Sequence, residues 1–269
     1  MDSCFTVGIL LAVIFSFSLS AEQKVESGKL REFLVQKGGY KTEEVNRLSA
    51  LVESAGAENL PVEVLLSRIN EGLARKVQAK ILYEVVMKKK ESLSAAGELI
   101  KKIAELKDKD YAVTVISDTL DRGVKKEEIS GIFELCAENK IKAVFALHYC
   151  EVLATVEEEG YKTETKREII RALVRVKADK ELAEYTQKAV MNAKAGNLDD
   201  EELREVLVAG IEKKRSIRTI ENEIKERSGN MRKEGKEKSL NTRERSGVNE
   251  ELRKLPEQRG IDENGGRKK

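Results

Sequence analysis

The 269-residue sequence has no Trp, only two Pro and a single His. Scarce Pro and absent Trp, with 36% charged residues, favour long solvated helices over a β-sandwich or a loop-rich fold. Aromatic residues are also few, and Phe5, Phe15 and Phe17 lie in an N-terminal segment that we expect to be removed. The remaining aromatic residues offer no stacking platform for nucleic-acid bases and little for sugars.

The only histidine, His148, lies with Ile141, Phe145 and Val152 on one side of a predicted helix. A general base or a metal ligand is conceivable, but a packed residue with one hydrogen bond is the commoner role for such a histidine. A zinc site needs three or four ligands and would have to be built here from carboxylates alone. We therefore predict no metal site.

Cys136 and Cys150 remain after export to an oxidising compartment, so a disulfide must be considered. If the helices turn near residues 139–140, the two cysteines lie about four residues before and about ten after the turn, an axial mismatch of roughly 9 Å. Bridged Cα atoms lie within about 7 Å of each other. We predict two buried free thiols, unless the turn is displaced, and no catalytic Cys.

The acidic and basic runs of the sequence do not indicate a catalytic or binding site. The acidic runs 157–159 and 199–202 could be imagined as metal ligands or a glycosidase pair, which needs two carboxyls across a cleft with one raised pKa. They lie at predicted helix ends, where solvated carboxylates are ordinary. The basic runs 88–90 and 213–215 are interpreted first as helix-end charge and second as anion sites. We predict no catalytic or cofactor-binding residue, no small-molecule substrate and no enzyme activity.

The first 21 residues resemble a secretory signal peptide. Phe5 to Leu19 contains no charged residue, and the small residues that follow suit cleavage after Ser20 or Ala21. The segment departs from the usual pattern because Met1 to Cys4 contains Asp2 and no Lys or Arg. An uncleaved membrane anchor is the alternative, although the apolar run is shorter than the roughly 20 residues that span a bilayer. We expect export, to the periplasm or beyond.

A short motif recurs along the chain and divides it into helical hairpins. Each copy begins with a Gly or Lys in a turn, continues with polar and usually acidic residues, and reaches the first apolar residue of a helix. This order is typical of a place where one helix ends and the next begins. The copies are GYKTEEV from Gly39, KVQAKI from Lys76, GVKKEEI from Gly123, GYKTETKREI from Gly160 and GNLDDEEL from Gly196. The Lys76 copy lacks both Gly and the acidic pair.

The copies are 37, 47, 37 and 36 residues apart. Such intervals are typical of two-helix units stacked into a solenoid. We expect the 47-residue interval to contain an extended helix around Met87 to Gly97. The pattern resembles αα repeats of the tetratricopeptide or HEAT kind in size only, because the tetratricopeptide signature needs Trp. The stretch EGLARKVQAKI, Glu71 to Ile81, resembles one in exported bacterial helical proteins of unassigned role, which implies no activity.

Apolar spacing predicts an all-α fold of about twelve helices. The fourth is expected to end in the charged run Met87 to Glu91, and a fifth to cover Leu93 to Leu106. Tyr111 to Ile116 is rich in β-branched residues, but helical spacing and a cap at Asp110 favour a helix. Ile141 to Glu158 is apolar on nearly every side in its middle, so we expect it to be central.

From Ser228 the apolar pattern is lost. The last 42 residues have 12 Lys or Arg against 8 Asp or Glu, a net charge of +4, and should be disordered. The predicted organisation is a signal peptide (1–21), a helical repeat domain (22–227) and a charged tail (228–269). The preferred function is an exported protein-binding scaffold. The alternative is binding of the tail to a polyanion or envelope surface; the whole-chain charge of +2 makes nucleic acid a poor candidate.

Overall fold

The computed structural model describes residues 27–103 and 106–229. Eleven helices make up 80% of these residues, and none of them lies in a strand, so the predicted all-α fold is confirmed. The expected signal peptide and all but the start of the charged tail lie outside the described residues. The helices are α1 (Ser27–Gly38), α2 (Thr42–Ala57), α3 (Val62–Ala74), α4 (Ala79–Ile100), α5 (Lys109–Asp121), α6 (Lys126–Glu138), α7 (Ala143–Glu158), α8 (Thr163–Val176), α9 (Lys180–Ala195), α10 (Asp200–Leu203, then a π-helical turn Arg204–Val208, then Ala209–Glu212) and α11 (217–229).

The helices form two layers. In the first layer α5 packs on α7 and α7 on α9, while in the second layer α6 packs on α8 and α8 on α10. Helices α2 and α3 both pack on α4, which in turn packs on α5. One continuous core of buried residues runs between the layers. Helix α7 has eleven buried residues and lies in the middle of this core, as its all-round apolar pattern predicts.

Most helices end in the same turn. A residue with positive φ follows the helix, and the next backbone N–H donates to the carbonyl five residues back, as from Ile141 to Cys136 at 2.8 Å and from Ala178 to Leu173 at 2.9 Å. These left-handed residues are Gly39, Asn59, Lys76, Gly123, Lys140, Gly160, Lys177, Asn197 and Lys214. From position 123 onward they are 17, 20, 17, 20 and 17 residues apart, so each two-helix repeat has 37 residues.

Alternate turns lie at opposite ends of the stack. We call the three turns at Lys140, Lys177 and Lys214 the lysine edge, and the three turns at Gly123, Gly160 and Asn197 the opposite edge. The sequence places the last of these turns at Gly196, which is wrong by one residue. Gly196 has φ −84°, and it is Asn197, with φ 61°, that occupies the left-handed region. The interval from Gly160 is therefore 37 residues and not 36.

The acidic residues of the recurring motif form helix caps. The side chains of Glu44, Glu128 and Glu202 each return to accept the backbone N–H three residues earlier, at 2.9, 3.1 and 3.0 Å. Each such bond satisfies a donor that the helix start leaves without a partner. The acidic pair after the turn thus fixes where the next helix begins.

Tyrosines join one repeat to the next. The Tyr40 hydroxyl donates to the Val77 carbonyl at 2.7 Å, and the Tyr161 hydroxyl donates to the Leu198 carbonyl at 3.2 Å. Both bonds join positions 37 residues apart. The Tyr of the motif therefore reaches the equivalent turn of the following repeat, which fixes how adjacent repeats stack.

Helix α4 corrects the predicted boundary near Met87 to Glu91. The predicted fourth and fifth helices are one helix of 22 residues, which leaves eleven helices in the described chain and accounts for the 47-residue interval. The basic run does not end a helix, because Lys89 is buried against α5 and bonds Asp118 at 2.6 Å and Asp121 at 2.7 Å. Its neighbour Lys90 bonds Glu58 at the end of α2. Helix α4 therefore joins α2 and α3 to the later repeats.

Two further details differ from the sequence prediction. The stretch 111–116 is helical, as predicted, but its cap is Asp108, whose Oδ1 accepts the Tyr111 N–H at 3.0 Å, and not Asp110. The apolar side chains of Ile81, Val85 and Val144 lie on predicted helices but are exposed and do not join the core.

Candidate protein-binding face

Helices α5, α7 and α9 run in the same direction side by side, since one antiparallel helix separates each from the next. Their outward sides form one surface. It exposes three large apolar side chains, one from each helix: Tyr111 (41%), Val144 (42%) and Met191 (53%). Tyr and Met are enriched in protein interfaces. Tyr111 and Val144 lie in the first turn of their helices and Met191 near the end of α9, so the three side chains are spread along this surface. We call this surface the three-helix face.

Carboxylates lie near Tyr111 on this surface. Partial burial raises the pKa of Tyr111, and the charges of Glu151 on α7 and Glu184 on α9 raise it further. The effect shows that groups from all three helices lie within electrostatic reach of one another. The Glu151 carboxylate also lies 3.0 Å from Nδ1 of His148. The centre of the face therefore carries the carboxylates of Glu151 and Glu184 beside an aromatic ring, with Lys180 paired to Glu184 at 3.5 Å.

Ion pairs fix the rim of this face. Arg122, after the end of α5, donates to Glu158 at 2.8 Å and to the Thr155 hydroxyl at 3.0 Å, both on α7. On the other side of α5, Asp118 and Asp121 hold the buried Lys89 of α4. Because each contact joins different helices, the face has a defined shape.

The structure supports the packed role predicted for His148. Its side chain is buried, and in the described chain it makes one side-chain hydrogen bond, to Glu151. Nδ1 faces a carboxylate on the same helix one turn later. The histidine thus helps to orient Glu151 within the three-helix face.

The cysteines are free and buried, which confirms the prediction. Burial raises the pKa of Cys136 to about 11 and also raises the pKa of Cys150. Near neutral pH both thiols stay protonated, and a protonated thiol is a poor nucleophile.

The charged runs are held by pairs between helices. In the first acidic run, Glu157 bonds Lys166 and Glu158 bonds Arg122. In the second, Asp200 Oδ1 accepts the Thr165 hydroxyl at 2.6 Å and the Lys162 N–H at 2.8 Å. Burial raises the pKa of Asp200, but the bonds from Thr165 and Lys162 outweigh it, so the pKa lies below its ordinary value. The basic run 213–215 follows the end of α10, as predicted.

The described residues provide little else that could form a site. In residues 27–103 and 106–229, no three His, Cys, Asp or Glu side chains are placed to hold a metal ion. A shallow groove of about 340 Å³ lies between α9 and α11, beside Asn192, Glu221 and Lys225, and another of about 430 Å³ lies between α1 and α2. Every helix in the described ranges is too short or too polar to cross a bilayer.

Together the 37-residue period, the two layers and the repeated turns define an α-helical repeat protein of the solenoid class. Comparisons with protein-family models, with curated protein sequences and with solved structures found no match to this chain. Its function must therefore be argued from its own surfaces.

Proposed function

We propose that this chain is an exported, non-enzymatic scaffold that binds another protein through the three-helix face. The observation that supports this most directly is the exposure of Tyr111, Val144 and Met191 on three adjacent parallel helices. Repeat proteins commonly bind partners along such a continuous helical face. Export is proposed from the N-terminal segment of the sequence, which lies outside the described residues.

The composition of the face indicates the partner's chemistry. Glu151 and Glu184 flank Tyr111, so a complementary surface carries Lys or Arg around an apolar centre. The Tyr111 ring offers a large contact area at low cost in side-chain entropy, as in many interface centres. The partner is therefore expected to bind more weakly as salt rises, without losing binding altogether.

A photo-crosslinking experiment tests this proposal. A photoreactive amino acid at Met191 should capture one partner protein in the compartment where the chain resides. The same group at Ile81, which is equally exposed on α4, provides the control. The variant Tyr111→Ser with Val144→Ser should abolish capture from position 191. Equal capture from both positions, or capture that the double variant leaves intact, would contradict the proposal.

Tail binding to a polyanion, the alternative from the sequence, stays a prediction because nearly all of 228–269 lies outside the described residues. Deletion of residues 230–269 would test it, with loss of salt-sensitive binding to an anionic surface as the expected result.

A further inference from the structure

The lysine edge has an unusual residue choice. At the opposite edge the left-handed positions hold Gly or Asn, which tolerate positive φ well. At the lysine edge, Lys140, Lys177 and Lys214 adopt φ of 55°, 53° and 50°. A lysine Cβ crowds the backbone in this region. Lys therefore occupies, in three successive repeats, a position where Gly would be less strained. Lys76, with φ 54° in the turn one repeat after Gly39, shares this strain, so the recurrence of lysine and not the strain alone distinguishes the lysine edge.

The two edges also differ in charge. For each turn we take the nine residues from three before the left-handed residue to five after it. The three windows of the lysine edge contain nine Lys or Arg and four Asp or Glu, a net charge of +5. The three windows of the opposite edge contain five Lys or Arg and eleven Asp or Glu, a net charge of −6. The positive charge is thus concentrated at one end of the stack.

The three left-handed lysines are available to bind a ligand. All three are exposed, and within the described chain none of them forms an ion pair. By contrast, nearby Arg175 is paired with Glu212 and Arg215 with Glu223. The arginines of this edge therefore join structural elements, whereas its repeating lysines project into solvent.

The lysines recur at a regular spacing. Each lies one repeat after the previous one, and packed helices are about 8–10 Å apart. The Arg175–Glu212 pair holds two successive turns of this edge together. The lysines therefore form a row about 20 Å long, with one charge per repeat. A ligand with anionic groups repeated along one chain can contact all three, while a single small anion can contact only one.

We propose that the lysine edge binds a linear, phosphate-bearing polyanion through Lys140, Lys177 and Lys214. Lysine contacts phosphate as a mobile point charge and does not require the fixed geometry that arginine does. The described turns of this edge contain no Trp or Tyr, and their one aromatic residue, Phe145, is partly buried against the core and not available to stack on bases or sugars. The polymer is therefore recognised by its charge spacing and not by its bases or sugars. This binding surface is separate from the three-helix face.

Lysine-to-glycine variants of the full chain test this proposal. Glycine removes the charge and relieves the left-handed strain, so Lys140→Gly, Lys177→Gly and Lys214→Gly should not lower the melting temperature. Lys76 provides a matched control, because it is an exposed lysine with φ 54° in a turn outside the lysine edge. The probe is end-labelled inorganic polyphosphate, with anisotropy measured at several NaCl concentrations.

At low salt the triple variant should bind roughly 10- to 100-fold more weakly than the natural chain. The slope of log affinity against log salt should fall in magnitude by about 2, at about 0.7 for each lost contact. Lys177→Gly should weaken binding more than Lys76→Gly. Unchanged affinity and slope in the triple variant would overturn the proposal, as would equal effects of Lys177→Gly and Lys76→Gly. Self-association without polyphosphate that the triple variant abolishes would instead identify a second copy as the occupant.

Discussion

The buried Lys89 provides the sharpest test of how α4 joins the two parts of the stack. Its side chain is 3% exposed, and its ammonium bonds Asp118 and Asp121, which are 52% and 33% exposed. Replacing both aspartates by Asn leaves a buried positive charge without an anionic partner. Breaking a fully buried pair costs about 3–5 kcal/mol. Because these carboxylates are partly solvated, we expect a smaller loss of about 2–3 kcal/mol.

Lys89→Met removes the buried charge and keeps most of the hydrocarbon chain. We expect this variant to lie within about 1 kcal/mol of the natural protein, because replacing a buried charge by an apolar group is often nearly neutral. Combining Lys89→Met with the two Asn substitutions should recover most of the loss. Urea unfolding followed by circular dichroism measures all these free energies. If the Asn variant were as stable as the natural protein, Lys89 would be solvated and α4 would not pack on α5 as described.

Four other substitutions test the helices and the contacts between repeats. A Cβ at Gly210 would lie 2.7 Å from Ile220 side-chain atoms, so Gly210→Ala should lower the free energy of urea unfolding by about 1–3 kcal/mol. Gly131 lies in open space on α6, so Gly131→Ala should instead raise that free energy by about 0.5–1 kcal/mol. Tyr161→Phe, which removes the hydroxyl bonded to the next repeat, should cost about 1 kcal/mol, and an unchanged unfolding midpoint would show that this bond does not hold the repeats. The pKa of Asp200 in the folded protein lies below its ordinary value of 3.8. The ionised carboxylate therefore stabilises the fold above pH 3.8, and this stabilisation is lost as the pH falls through the folded-state pKa. The natural chain should therefore lose more unfolding free energy between pH 6 and pH 3 than Asp200→Asn, and parallel losses would refute this role of the carboxylate.

The sequence predicts the repeats well because their turns depend on local chemistry. Gly39, Gly123 and Gly160 mark left-handed positions directly. The acidic residues after Gly39 and Gly123 form caps, whereas the helix after Gly160 has no such cap. The turns at Asn59, Lys140, Lys177 and Lys214 have no glycine, so composition alone does not mark them. Their positions follow only after the 17- and 20-residue alternation is known.

The 47-residue interval predicts an extended helix around Met87 to Gly97, and α4 confirms it. The charged run Met87 to Glu91 nevertheless suggested a helix end, because a run of charged residues usually marks a solvated one. Here Lys89 is buried by partners 29 and 32 residues away, and such pairing is set by tertiary structure. The three-helix face escapes prediction for a related reason. Val144 belongs to the most apolar helix, and its exposure depends on where α5 and α9 pack.

The difference in charge between the two edges is also not evident from the sequence. The overall net charge is only +2, since the basic and acidic turns alternate along the chain and cancel in the sum. Their separation appears only when alternate turns are assigned to opposite ends of the stack. A periodic charge pattern with half-repeats of opposite sign would have been the signal to look for.

The arrangement of successive repeats can be measured by electron paramagnetic resonance with spin labels at residues 140, 177 and 214. The buried, protonated thiols of Cys136 and Cys150 should not compete for labelling at engineered cysteines. Repeats stacked in a row predict similar distances for the pairs 140–177 and 177–214, about 10 Å between backbones, and about twice that for 140–214. Three similar distances would indicate a closed bundle and contradict the repeat architecture.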